Sequence, residues 1–235
     1  MNKTLVVDSR ISAESLKKLE SMGYNAIKLP QNLLFDAPIS SHPDIFMTQI
    51  DGKWFIDDAV HELFIFMSEF EIVSRGQAAK EKYKYPKDVF LNCVQVGKYL
   101  ICNKKHTCKE VIDYAIQNEI KVIDVNQGYC KCSICVVSDN AIITEDTGIA
   151  KTLEENSELD VLLIEKGHVS LDGYNYGFFG GCCGLIENDL IAFNGSIEVH
   201  PEYLKIKSFC EKYCVNMVSL NDEKLYDIGT IFRII

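Results

Sequence analysis

The chain has 235 residues, 47 % hydrophobic and 25 % charged, with a net charge of −10 from 34 acidic and 24 basic residues. That length suits one domain or two with a sizeable core, and the acidic balance argues against a nucleic-acid-binding protein, which usually presents a basic face. The first apolar run is only Leu5-Val6-Val7, and no stretch approaches the roughly 20 apolar residues of a membrane helix, so neither a signal peptide nor a membrane span is expected.

Along the chain, a strand at 4–8 precedes a helix at 12–22, which has Leu16 and Leu19 at helical spacing, Ser12 as its cap and Gly23 as its stop. After a short apolar strand at 26–29, a hairpin strand is expected at 44–47, the turn at Asp51-Gly52 and another strand at 71–73. The polar stretch 77–85, with Lys80, Glu81, Lys82 and Lys84, reads as a solvated insertion or as a lid. A hairpin strand at 88–91 and a turn at Val96-Gly97 lead to a helix at 107–119. That helix has Thr107 as cap, Glu110 three residues on, and Val111, Ala115 and Ile116 on one stripe.

The second half continues the pattern. It gives strands at 121–125 and 133–137, a turn at Ser138-Asp139-Asn140, a helix at 147–156 and a strand at 160–164. Residues 167–181 form a long connection rich in Gly, Tyr and Phe, of the kind that overhangs a pocket. A strand at 183–186, a turn at Glu187-Asn188-Asp189, a helix at 200–213 and strands at 216–220 and 227–235 complete the chain. In the last helix, Pro201 stands in the first turn and Leu204, Ile206 and Phe209 follow it.

These elements repeat. From Gly52 to Gly97, Asp139 and Asn188 the steps are 45, 42 and 49 residues, and 47 more lead to Ile235. A fixed period of this size marks one supersecondary unit used repeatedly, here strand, tight turn, strand, helix, strand. The fifth unit is divided between the two ends of the chain. Pairing the C-terminal strand with the N-terminal one completes five units and removes an exposed edge. The expectation is an α/β fold over residues 1–235, a single-domain, five-unit, pseudo-fivefold propeller closed by its terminal strands. Its ligand site should lie on the axis, where the strand starts converge.

Several segments at those strand starts carry a resemblance: Ser41-His42-Pro43-Asp44-Ile45, Tyr85-Pro86-Lys87-Asp88-Val89, Gly128-Tyr129-Cys130-Lys131-Cys132-Ser133-Ile134, Gly180-Gly181-Cys182-Cys183-Gly184, His200-Pro201 and Asp227-Ile228-Gly229. With the five-unit ring, they resemble the pentein fold of the guanidino-group-modifying enzymes, as an uncharacterised bacterial branch of it. The resemblance spans the whole chain and is architectural more than motif-level. It implies a cysteine nucleophile from the fifth unit, a histidine acid/base from the third, a helping carboxylate from the second, and aspartates gripping a guanidinium.

Position by position the match is partial. Asp44 fits a cation-gripping carboxylate and Asp88 a pocket carboxylate, although Tyr85-Pro86-Lys87 replaces the usual Glu-Gly-Gly run before it. Cys130-Lys131-Cys132-Ser133 stands where the histidine belongs, and Ile228-Gly229-Thr230 where the nucleophilic cysteine belongs. Fold analogy therefore cannot supply the chemistry.

Three readings remain open. The first is a thiol-dependent amidinohydrolase- or amidinotransferase-like enzyme acting on a small cationic guanidino or amidino compound. Cys182 or Cys183 is its nucleophile, with Cys132 also a candidate, and Gly180-Gly181 gives backbone access. Lys131 or Lys87 lowers the thiol pKa, His168 or His42 is the acid/base, and Asp44 and Asp88 hold the cation, with His42 and Lys131 also substrate-binding. The second is a thiolate metal or redox site from Cys130, Cys132, Cys135 and Cys182. On a strand, Cys130 and Cys132 would face one way and Cys135 the other, and only one of Cys182 and Cys183 would face inward. The third is a non-catalytic binding module, since the fold has non-enzymatic members, among them a ribosome anti-association factor.

The ten cysteines, without an export signal, suit a reducing cytoplasm. Cys93, Cys102, Cys108, Cys210 and Cys214 are expected to be packing residues. Asp8 is expected to line the pocket or to cap the helix at Ser12. The nucleotide-binding patterns G-x-G-x-x-G and G-x-x-x-x-G-K-[ST] do not occur, and no flavin or haem motif is found, so no cofactor is expected. The expected partner is a small cation, with neither nucleic acid nor membrane, and a homodimer is compatible with the sequence.

Overall fold

Leu5, Val6 and Val7 give the first strand, β1 (Lys3–Asp8), its fully buried centre. Ser12 caps α1 (Ala13–Ser21) by accepting the N–H of Ser15 at 3.0 Å, and β2 (Tyr24–Leu29) returns parallel to β1. The structure is a computed structural model and describes residues 3–76 and 82–234.

Four more units follow. A short helical turn, α2 (Pro43–Phe46), leads into β3 (Met47–Ile50), β4 (Lys53–Asp57) and β5 (Phe70–Val73). The next unit holds β6 (Val94–Val96), β7 (Tyr99–Cys102), α3 (Lys109–Gln117) and β8 (Lys121–Asp124). Next come α4 (Cys130–Ser133), β9 (Ile134–Ser138), β10 (Ala141–Thr144), α5 (Thr147–Asn156) and β11 (Asp160–Leu163). Last are β12 (Cys183–Glu187), β13 (Leu190–Phe193), α6 (Tyr203–Lys212), β14 (Asn216–Ser219) and the short β15 (Phe232–Arg233).

Among the described residues, fifteen strands fall into five three-stranded sheets of one design. In each, an antiparallel pair is joined by a third strand parallel to its middle strand. The expected pairing of the chain ends is present: β15 lies antiparallel to β1, with Leu5 opposite Arg233 and Val6 opposite Phe232. The parallel crossover uses a helix in four units and a 3₁₀ turn, His61–Phe64, between β4 and β5. Five apolar clusters lie between the sheets. One joins β9 and β10 to β13 through Val137, Ile143, Ile191 and Phe193. Another joins β1 to β3 and β4 through Val6, Met47 and Trp54, with Trp54 edge-on to Phe232 at 5.4 Å.

The starts of the units differ from expectation. Residues 44–46 form a helical turn rather than a strand, because Pro43 fixes the φ of its first position. Residues 88–91 lie outside any strand, and β6 begins only at Val94. Cys130 and Cys132 sit on a helical turn, so the strand alternation expected of them does not apply. Of the described residues 227–234, only Phe232 and Arg233 are in a strand. The capping residue of α3 is Cys108 rather than Thr107, and Ile116 and Leu204 are largely exposed. Of the polar stretch, Lys80 and Glu81 lie outside the described residues. Lys82 pairs with Asp36 at 3.6 Å, and Tyr83 packs on Phe35. Cys214 is exposed, unlike its four expected companions, which are buried.

Candidate active site

The helical turns at the unit starts bring together groups from distant parts of the chain. The Cys132 thiol, on α4, donates to Asp44 Oδ2 on α2 at 2.7 Å. Asn92 fixes this cysteine: its Nδ2 donates to Cys132 Sγ at 3.2 Å, and its Oδ1 accepts the N–H groups of Lys131 (2.8 Å) and Cys132 (3.3 Å). His42 completes the group, with one donor atom each from His42, Asp44 and Cys132 lying within 4.8 Å of one another, all buried. Such a spacing can also suit a divalent cation.

His42 stands between two carboxylates. Its Nε2 lies 3.8 Å from Asp8 and its Nδ1 3.8 Å from Asp227. Neither ring nitrogen has a hydrogen-bond partner among the described residues, nor does Asp44 Oδ1. Buried polar atoms are normally satisfied, so these orphans single out this group as a candidate ligand site. Asp8 is not a helix cap. It accepts from Arg10 Nε at 2.9 Å and from Ser41 Oγ at 2.7 Å. Asp227 accepts the N–H groups of Phe178 and Gly229, both at 2.9 Å. Gly229 has φ of +63°, and a Cβ there would lie 2.2 Å from that of His42. Glycine thus lets the chain pass against the imidazole.

The electrostatics follow from burial. Burial holds the Asp44 carboxyl up at about 6, against the hydrogen bond from Cys132. It raises Asp227 and Asp88 and lowers the His42 pKa, so the imidazole is neutral. The Cys132 thiol is driven well above its ordinary value by burial and by Asp44. For Asp8, burial acts upward, but the side-chain and backbone hydrogen bonds from Arg10, with its guanidinium charge, outweigh it and leave the pKa low.

Above this group lies a cavity of about 270 Å³ into which His42, Cys132 and Asp227 face, walled by Tyr129, Tyr174, Tyr176 and Phe178. Three of those walls come from the 167–181 connection, which overhangs the pocket as expected. Tyr129 is held by its hydroxyl, which donates to Asp88 Oδ2 at 2.6 Å.

Of the site residues expected from the sequence, Cys132, Asp44 and His42 therefore meet, and Asp88 supports a wall. Lys131 is adjacent in sequence but lines a different cavity. Cys182 is packed in the apolar cluster with Phe179 and Phe193, its thiol donating to Phe179 O at 3.1 Å. Cys183 lines the same cavity as Lys131. His168 lies at the surface end of that cluster, 3.7 Å from Glu165 and edge-on to His200 at 5.1 Å, and does not line the Cys132 cavity. The four-cysteine metal arrangement is not formed. Cys130 donates to Gln127 O at 2.9 Å inside one apolar cluster, Cys135 and Cys182 belong to another, and Cys132 faces Asp44. Asn92 is not marked by any sequence pattern, and Asp227 and Tyr129 stand in the segments that carry the resemblance without a role of their own. The signal for Asp227 was its Asp-x-Gly setting, which forms the turn against His42.

Five similar sheets, with a buried thiol, imidazole and carboxylates gathered at the unit starts, define a member of the pentein fold. Solved structures agree. An amidinotransferase from Microseira wollei superposes with a TM-score of 0.58 at 9 % identity, covering 94 % of this chain and 78 % of that one. A DDAH from Pseudomonas aeruginosa, in complex with citrulline, gives 0.54 at 10 % identity over 93 % of this chain and 92 % of that one. A C. jejuni agmatine deiminase gives 0.51 at 11 % identity over 93 % and 75 %. The chain belongs to DUF6873, a family of unknown function, matched over residues 6–232. Among curated proteins, none matches it by sequence. No helix among the described residues is long and apolar enough to cross a membrane.

Proposed function

We propose that this protein binds a small guanidino or amidino cation in the cavity over Cys132 and attacks it with the Cys132 thiol. On this reading the five sheets close as one domain into a pseudo-fivefold ring, and the cavity lies at one end of its axis. The observation that carries the proposal is the buried grouping of Cys132, Asp44 and His42, with unsatisfied polar atoms under aromatic walls. Carboxylates receive a guanidinium through paired hydrogen bonds, and tyrosine faces attract a cation. Among the described residues no Lys or Arg lines the cavity, so a ligand carboxylate would find no counter-ion there.

The chemistry follows from the charges. Without ligand the thiol is protonated. A guanidinium beside it supplies the positive charge that stabilises a thiolate, and Asp44 accepts the proton along the existing hydrogen bond. The thiolate then adds to the guanidinium carbon: a C–S bond forms and the C–N π pair moves onto nitrogen. The captured proton, passed through His42, leaves with the departing amine. Asp8 and Asp227 steady the imidazolium formed on the way. Water, or a second amine, then releases the amidino group from sulfur.

The test is calorimetry and product analysis by mass spectrometry with guanidine, agmatine and simple amidines, on the wild type and on Cys132→Ser. Binding by both proteins, with turnover or a covalent adduct only in the wild type, supports the reading. Binding without turnover by either supports the non-catalytic module, and failure to bind any of the cations overturns the proposal. Stoichiometric metal in the purified protein would reassign the three donors.

A further inference from the structure

A second cavity, of about 170 Å³, shares no lining residue with the first and takes residues from the antiparallel edge strand of all five sheets. Gln49 on β3, Gln95 on β6, Val136 on β9, Leu185 on β12 and Phe232 on β15 contribute to its wall. One cation enters it from inside the molecule. Lys131 is 8 % exposed. Its Nζ donates to Thr230 Oγ1 at 2.7 Å and lies 5.7 Å from the centre of the Phe232 ring, and both of those residues line the cavity. Thr230 Oγ1 in turn donates to Cys183 O at 2.8 Å. The ammonium has two further donors and forms no ion pair among the described residues. Charged side chains are almost never buried unless paired. The other cation on this wall, Arg233, is already paired with Glu187 at 2.6 Å.

We infer that this cavity is a binding site for a small organic monoanion, a short-chain carboxylate, seated on Lys131. The class follows from the lining. A single unpaired ammonium matches one negative charge. The apolar flank of Trp54, Val136, Leu185, Ile231 and Phe232 suits a short hydrocarbon tail rather than a phosphate. Gln49 and Gln95 have their amide N–H groups on backbone carbonyls, of Gly52 and Gly97, and supply no competing charge. Nothing in this inference depends on the chemistry proposed at Cys132.

The probe is butyrate, with inorganic phosphate as the comparison, titrated into the full-length protein by calorimetry. The Lys131 side-chain ¹⁵N resonance is followed in parallel. Butyrate should bind and move that resonance. Lys131→Met, which keeps the stem and removes the charge, should weaken binding by roughly thirtyfold or more, as expected when one member of a buried charge pair is lost. Leu185→Phe, which narrows the cavity and leaves the lysine, should weaken butyrate more than acetate. Equal butyrate affinity in Lys131→Met, tighter binding of phosphate than of butyrate, or an unmoved Lys131 resonance in the wild type would each overturn the inference. The last readout and Leu185→Phe hold even if Lys131→Met fails to fold.

Discussion

The Cys132 thiol donates to the Asp44 carboxylate across 2.7 Å, joining two residues 88 positions apart in the chain, and nothing but the packing of two helical turns brings them together. Each perturbs the other: the thiol is held protonated, and the carboxyl is half-way to neutrality near pH 6.

Asp44→Asn should therefore stabilise the protein while abolishing cation binding. A carboxyl raised from 3.8 to about 6 by burial is a cost to folding at neutral pH. Removing it should gain on the order of 2 kcal/mol. Thermal melts at neutral pH check the gain, and calorimetry with guanidine checks the loss. A lower melting temperature would contradict this account.

Glu145 makes a prediction in pH. Burial holds its carboxyl up from 4.5 to about 7, and it is 5 % exposed. In that window the folded chain keeps the proton that the unfolded chain releases. Its contribution to stability is complete below its ordinary value and is lost as pH rises through 7. Asp44 acts in the same direction. The melting temperature should rise from about pH 8 to about pH 5 and the slope should shrink in Glu145→Gln. Further acidification should reverse the trend, because the lowered Asp8 loses its stabilising charge.

Asn92 holds the third-unit turn through its side-chain carbonyl and amide. Asn92→Ala should cost about 1–3 kcal/mol, since it strands two buried backbone donors. Denaturant unfolding measures this, and a neutral result would show that another acceptor reaches those N–H groups.

Gly229→Ala should cost about 1–3 kcal/mol and weaken ligand binding together with stability. The new Cβ meets His42 at a left-handed backbone position. Unchanged stability would mean that His42 can withdraw without consequence.

Alkylation separates the cysteines. Cys214 alone is exposed, and burial keeps Cys132 a thiol. Iodoacetamide at neutral pH should label Cys214 first, with Cys132 following only after long exposure, as peptide mapping would show. Rapid labelling of Cys132 would contradict the electrostatics described here.

The amino-acid sequence by itself determined the repeat. Turn residues at a near-constant period, with apolar strands between them, specify the hairpins, the third strand of each unit and the pairing of β15 with β1, because these depend on local pattern and burial. It also put Asp44, His42 and Cys132 among the candidate site residues, beside Cys182, Cys183, His168, Asp88 and Lys131, and the 167–181 connection over a pocket. Which cysteine stands in the site was decided only by tertiary structure. Cys130, Cys132 and Cys135 look alike as a run, yet the helical turn at 130–133 sends them to three surroundings, and Cys182 enters an apolar cluster. The same turn separates Lys131 from Cys132, one to each cavity. Strand alternation does not apply there, since the Asn92 hydrogen bonds hold a turn of helix before the strand begins. Asp8 and Asp227, at opposite ends of the chain, become neighbours of one imidazole only because the first and last strands pair.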